Sequence, residues 1–229
     1  MSDLCEVFPY HNVSNDVLLA ELFAISNAVT GSENQDVDAC IKEKLSELLQ
    51  DTIINNIDNR NVTSDEFNDI CKHNQNFNLS VLHMNIQSLN SKLDKFLELM
   101  LHLDLLFDAI ILTEIWSTNL DFFQKILDKY KFIYDLPNNG RAGGVGIFIR
   151  EDIIFSYRND LKIKSDDKVV VENIWLEIIK NDTRSIVAGI YRHPNKNITE
   201  FSDKLDLSLN KIVSKKTQCI VCGDMNVNC

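Results

Sequence analysis

A chain of 229 residues that is 45% hydrophobic, 25% charged and 8% aromatic holds enough apolar side chains for one sizeable core and a small accessory segment. With 7 Gly and 3 Pro, no Gly-X-Y period and no sustained heptads, it is neither collagen-like nor an extended coiled coil. The formal net charge of −11 argues against a general nucleic-acid coat, because phosphate affinity comes from clustered Lys and Arg.

The first residues carry Asp3 and Glu6 and no basic head before an apolar run. No secretory leader is expected, and the setting is intracellular, nuclear or cytoplasmic. After Ser14, Val17, Leu18, Leu22 and Ile25 share a helical face that ends near Gly31. Val37, Ile41, Leu45, Leu49, Ile53 and Ile57 then repeat at four-residue steps between charged residues, an amphipathic helix that needs a partner. Thr63-Ser64-Asp65-Glu66 matches a capping box and opens a third, short helical piece with Phe67 and Ile70. The Asn-rich stretch 73–78 reads as a linker, dividing the chain into an acidic helical segment, 1–77, and a domain, 78–229. The front holds 14 Asp/Glu against 4 Lys/Arg and the remainder 20 against 19, so the acidity belongs to the front. The nearly neutral remainder can offer a polyanion a local groove with the help of a metal.

Beyond the linker, short runs rich in Val, Ile and Phe alternate with helical segments, as in layered α/β architecture. Strands are predicted at 79–84, 108–113, 132–134, 145–150, 153–157, 174–179, 185–191 and 218–222, and helices at 92–103, 120–129 and 198–213. The apolar stretch 97–106 is broken by Glu98, His102 and Asp104, short of the roughly 18 apolar residues of a membrane span. In 174–179, Ile174, Leu176 and Ile178 share one face, while Trp175, Glu177 and Ile179 form a mixed opposite face. Cys219 and Cys222 lie in an apolar strand with no second ligand pair, so they read as small buried strand residues with free thiols in a reducing compartment.

Polar residues gather where these strands end. Asn85 follows the first, in Asn85-Ile86-Gln87-Ser88-Leu89; Glu114 follows Ala109-Ile110-Ile111-Leu112-Thr113; Tyr191-Arg192-His193-Pro194 and Gly223-Asp224-Met225-Asn226 close two later strands. Each has a plain structural reading as well. A strand-end carboxylate often caps a helix or joins a salt bridge, Asn85 and Asn226 suit turns, and Tyr191 suits an amphipathic rim. Gly143-Gly144-Val145-Gly146 precedes a strand instead of opening a helix, so these glycines are read as turn and close-packing residues, not a phosphate cradle.

Taken together and in this order, these motifs resemble the endonuclease/exonuclease/phosphatase superfamily, and within it the apurinic-endonuclease-like domain of non-LTR retrotransposons. The resemblance spans about 150 residues, a full domain's scale. It implies an α+β fold: a partial four-layer α/β sandwich of two packed mixed β-sheets flanked by helices, the second sheet incomplete, preceded by a small helical segment. By resemblance, Glu114 would hold Mg²⁺, with Mn²⁺ as the alternative ion, and Asn85 would assist metal or phosphate. Tyr191 would donate its hydroxyl to a phosphate oxygen, Asp224 would orient or deprotonate the attacking water, and Asn226 would hydrogen-bond the scissile phosphate. Arg192 and His193 are candidate phosphate contacts, although His193-Pro194 can equally shape the turn.

The family pattern continues to an aspartate and a terminal Ser-Asp-His element, which these 229 residues do not contain. The expectation is therefore a C-terminally truncated domain, weakly active or inactive, with an unpaired edge on its second sheet. DNA is the expected substrate. Two other readings stay open: a phosphatase or lipid phosphodiesterase of the same superfamily, and a non-catalytic module that binds a protein partner through 1–77.

Overall fold

The computed structural model describes residues 20–21, 63–73, 78–103, 105–117, 120–138, 142–213 and 217–226. The two helices expected before residue 60 lie outside the described residues, except at Ala20 and Glu21. Here the expectation is corrected: these two residues are extended (β1, Ala20–Glu21) and pair in parallel with Ile220 and Val221. A strand edge presents unpaired backbone groups, which an extended segment can satisfy and a helix cannot.

The capping box forms as read. In α1 (Ser64–His73), Thr63 N–H donates to Glu66 Oε2 at 2.7 Å and Glu66 N–H to Thr63 Oγ1 at 3.3 Å. This helix packs Phe67 and Cys71 into a core shared with the following elements, Phe67 stacking on Phe107 at 6.1 Å. β2 (Val81–Asn85) leads to α2 (Leu89–His102), which begins before the predicted start because Ser88 Oγ accepts the Ser91 N–H. β3 (Ala109–Thr113) is buried along its whole length and runs parallel to β2. β4 (Tyr130–Asp135) and β5 (Val145–Arg150) complete a mixed sheet in the order β2-β3-β5-β4.

The helix predicted over 120–129 shrinks to a 3₁₀ turn, Asp121–Lys125. The chain must reverse into β4 within a few residues and does so through Lys129 at φ 68, leaving no room for further helical turns. β6 (Ile154–Tyr157), β7 (Val171–Lys180), β8 (Thr183–Arg192) and β9 (Gln218–Asp224) form the second sheet, in the order β1-β9-β8-β7-β6. Asn181 and Asp182, both at positive φ, close the tight β7–β8 hairpin. α3 (Ile198–Val213) joins β8 to β9 as a parallel crossover.

Alternation sorts side chains into three apolar layers. Leu82, Ile110, Leu112 and Phe148 face α1 and α2, whereas Ala109, Ile111, Ile147, Ile174, Leu176 and Ile178 fill the space between the sheets. Trp175, Ile186, Ala188, Ile190, Cys219 and Val221 face α3, so the described layers follow the order α/β/β/α. The mixed face of β7 resolves as expected: Trp175 is buried, and Glu177 pairs with Arg158 at 3.2 Å and Arg184 at 3.0 Å. Cys219 and Cys222 are buried free thiols on opposite faces of β9, pushed up to about 12 by burial. At the end of the sandwich remote from Asn85, buried Asp108 ties the sheets together. It accepts the Ser80 N–H at 2.7 Å and meets Lys180 of β7 at 2.6 Å and Arg150 of β5 at 2.9 Å. Among the described residues, no helix is long and apolar enough to cross a membrane.

Candidate active site

β2 and β3 run in parallel, as do β8 and β9, and the two pairs deliver their C-terminal ends to one edge of the sandwich. Asn85 stands at the last position of β2, Glu114 just past β3, Tyr191 and Arg192 at the end of β8, and Asp224 at the end of β9. Stacking the sheets brings three of these side chains together. Asn85 Nδ2 donates to Glu114 Oε1 at 2.8 Å and to Asp224 Oδ2 at 2.9 Å. One amide thus spans two carboxylates from different sheets.

Backbone geometry fixes both carboxylates. Glu114 and Trp116 adopt φ 57 and φ 43, left-handed values that cost a side-chain-bearing residue about 1–2 kcal/mol each. Hydrogen bonds hold them there: Ser88 N–H donates to Glu114 O at 2.8 Å, Leu89 N–H to Ile115 O at 3.1 Å and Trp116 N–H to Gly143 O at 3.1 Å. The turn after β3 is therefore bound to the start of α2, and Ile115 is fully buried beneath it. On the other sheet, Asp224 Oδ1 accepts the Asn226 N–H at 3.0 Å. A Cβ on the preceding Gly223 would lie 1.8 Å from Ile190 O, so only glycine lets β9 approach β8 closely enough here.

Tyr191 is buried beside this group. Burial first, and then the nearby Glu114, Asp224 and Glu172 carboxylates, push its hydroxyl up to about 12, against a smaller opposing effect of the Asn226 side chain. It is therefore a neutral hydrogen-bond donor across the neutral pH range. Its ring meets the His193 ring edge-on at 5.0 Å. His193 Nε2 lies 3.1 and 3.0 Å from the two oxygens of Glu172, which is 3% exposed and also accepts the Gly144 N–H at 3.1 Å.

Glu172 escaped the sequence reading, although a signal was present. It shares strand parity with Ile174, Leu176 and Ile178, so a carboxylate stands at a core-facing position. The glycines act in packing, as expected: a Cβ on Gly143 would come within 2.8 Å of both Glu172 Oε2 and His193 Nε2, and one on Gly146 within 2.6 Å of Phe132.

Arg192 is placed differently from a phosphate contact. Its guanidinium is buried and donates to the backbone carbonyls of Met225, His193, Lys196 and Asn226. Asn226 in turn donates its amide to Arg192 O at 2.6 Å. The buried guanidinium is thus spread over four backbone carbonyls of its own and the neighbouring loop.

The convergent donors suit a hard cation. Two carboxylate oxygens lie within 2.9 Å of the Asn85 amide nitrogen, and a cation drawn to them would take the amide through its oxygen instead; among the described residues no three His, Cys, Asp or Glu side chains cluster as a metal site. Mg²⁺ and Mn²⁺ take one or two carboxylates and keep several waters, which this set permits.

A family model described as the endonuclease/exonuclease/phosphatase family matches residues 77–229. The chain belongs to that family. Its fold is that of phosphodiesterases and phosphatases. Solved structures it is similar to include an endonuclease/exonuclease/phosphatase family protein from Bacteroides thetaiotaomicron, at 17% identity and TM-score 0.48 over 66% of this chain and 64% of that one. The human Nocturnin catalytic domain matches at 20% identity and TM-score 0.47, over 65% and 64%. The endonuclease domain of TRAS1, a telomere-specific non-LTR retrotransposon, matches at 13% identity and TM-score 0.47, over 65% and 60%. The chain thus spans less than two thirds of each of these structures. Comparison with curated proteins finds no match.

Proposed function

We propose that residues 77–229 form a Mg²⁺-dependent DNA endonuclease domain of the kind found in non-LTR retrotransposons. The observation that carries this reading is the single Asn85 amide shared by Glu114 and Asp224, with the Tyr191 hydroxyl beside them. Phosphodiester hydrolysis needs a site for a cation, a base for water and donors for the phosphate oxygens, and these residues supply one of each. Glu114 and Asn85 would hold the ion, which when bound neutralises charge on the phosphoryl oxygens. Asp224 takes the proton of the attacking water or orients it. Tyr191, kept protonated by its surroundings, donates to a non-bridging phosphate oxygen. One proton of the Asn226 amide is committed to Arg192 O, and its side chain also hydrogen-bonds the Tyr191 hydroxyl, so Asn226 would act on the phosphate together with Tyr191. His193, held by Glu172, flanks Tyr191 and would be a further phosphate contact.

A supercoiled-plasmid nicking assay tests the proposal, on the 229-residue chain and on a Glu114→Ala/Asp224→Ala variant, in Mg²⁺ and in EDTA. Mg²⁺-dependent nicking is expected, lost in EDTA and in the double variant. Mg²⁺-dependent binding of double-stranded DNA in a filter assay is expected alongside it. Binding of inositol phosphates in place of DNA would transfer the site to a phosphatase or lipid phosphodiesterase. Absence of both activities and of all metal dependence would remove the catalytic reading and leave an interaction module.

A further inference from the structure

We propose that Arg192 is the positioning residue of this site, holding the Asp224–Asn226 turn so that Asp224 reaches Asn85. The proposal rests on the phosphodiesterase reading for its kinetic consequences, but its geometry stands apart from it. Arg192 is 3% exposed, and among the described residues none of its hydrogen-bond partners is a carboxylate. Burying a guanidinium is unfavourable unless its donors are satisfied. Here the satisfaction comes from loop carbonyls on two segments.

Nε donates to Met225 O at 2.6 Å, and an Nη2 proton goes to Asn226 O. Nη1 reaches His193 O at 3.2 Å and Lys196 O at 2.9 Å. Four of the five guanidinium protons are therefore spent on backbone. The loop between β8 and α3 is thereby fastened to the turn after β9, with the guanidinium 6.0 Å from the Phe201 ring. The Asn226 amide closes the arrangement by donating to Arg192 O at 2.6 Å.

Asp224, the first residue of this turn, carries one carboxylate oxygen on the Asn226 N–H and the other on Asn85. Two of the carbonyls that Arg192 holds belong to the next two residues, so releasing them frees the carboxylate that Asn85 meets. A lysine cannot replace this. Its single ammonium has three donors on one atom and cannot span four carbonyls arranged around a planar fork.

Arg192→Lys and Arg192→Ala discriminate positioning from phosphate contact. If Arg192 positions Asp224, then kcat for nicking falls by about 10²-fold, the effect of a small misplacement of a reacting group. KM for DNA and the salt dependence of DNA binding stay unchanged, and added guanidinium ion partly restores Arg192→Ala. If it contacts phosphate instead, DNA binding weakens with kcat retained and the salt slope drops by about one; that result overturns the proposal.

Hydrogen–deuterium exchange of the 224–226 amides gives a readout independent of catalysis. Faster exchange in Arg192→Lys, with far-UV circular dichroism unchanged, is expected, and unchanged exchange overturns the proposal. Wild-type protein that neither binds Mg²⁺ nor cleaves DNA would refute the phosphodiesterase reading alone, because the exchange experiment still decides whether Arg192 holds the turn.

Discussion

Glu114→Gln separates the electrostatic cost of the site from its use. Asn85 Nδ2 lies 2.8 Å from Glu114 Oε1 and 2.9 Å from Asp224 Oδ2, so the two charged oxygens are confined near each other. At a separation of about 5 Å, two like charges repel by about 3 kcal/mol at an effective dielectric near 20 and by under about 1 kcal/mol in bulk water. The site is partly exposed, and solvent screening brings the repulsion to about 1–2 kcal/mol. Glutamine removes one charge and keeps an acceptor for Asn85, giving up about 1 kcal/mol of charge-assisted hydrogen bonding. In EDTA the variant is therefore as stable as wild type or more stable by up to about 1 kcal/mol, a rise in Tm of no more than about 4 °C.

Mg²⁺ reverses the order. At about a hundredfold excess over its Kd, an ion bound only by the folded state adds about 2.7 kcal/mol to wild type, and Glu114→Gln gains much less. Thermal denaturation of both proteins in EDTA and in a Mg²⁺ series reads the crossover directly. Equal Mg²⁺ stabilisation of the two proteins would refute the assignment of Glu114 as a metal ligand. A loss of more than about 2 kcal/mol in EDTA would show that its charge serves the fold instead.

Two further perturbations test the fold that presents the site. Asp108→Ala leaves Lys180, Arg150 and the Ser80 N–H without their shared partner, and a loss of about 3 kcal/mol in urea unfolding is expected; a loss below about 1 kcal/mol would mean that the network does not join the sheets energetically. His83, with Nε2 3.3 Å from Thr113 Oγ1, is brought down to about 4 by burial. Its folded value lies below the unfolded one near 6.5, so its contribution to stability is complete above about pH 6.5 and is lost as pH falls toward about 4. His83→Gln should flatten the stability profile across that window relative to wild type, and superimposable slopes would contradict the assignment.

The strands and the long crossover helix were legible locally. Ile174, Leu176 and Ile178 alternate with a mixed face, and 198–213 carries a helical apolar stripe, because side-chain direction follows a period of two or 3.6 along the chain itself. The motif residues could likewise be picked out one by one, since a carboxylate or amide stands out at the end of an apolar run. The capping box at Thr63 was equally local.

What required tertiary structure was convergence. Asn85 and Asp224 are 139 residues apart, and only the stacking of two sheets places one amide between two carboxylates. The same holds for Arg192, whose neighbours in sequence suggest a phosphate contact. Its direction is decided by carbonyls of the turn after β9, a strand formed some thirty residues later. The 3₁₀ turn at Asp121–Lys125 and the extended Ala20–Glu21 have the same cause: the chain reversal into β4 and the pairing offered along the edge of β9 outweigh the weak local preference for helix. Periodicity assigns each side chain a face, but the partners on that face are chosen by segments distant in the chain.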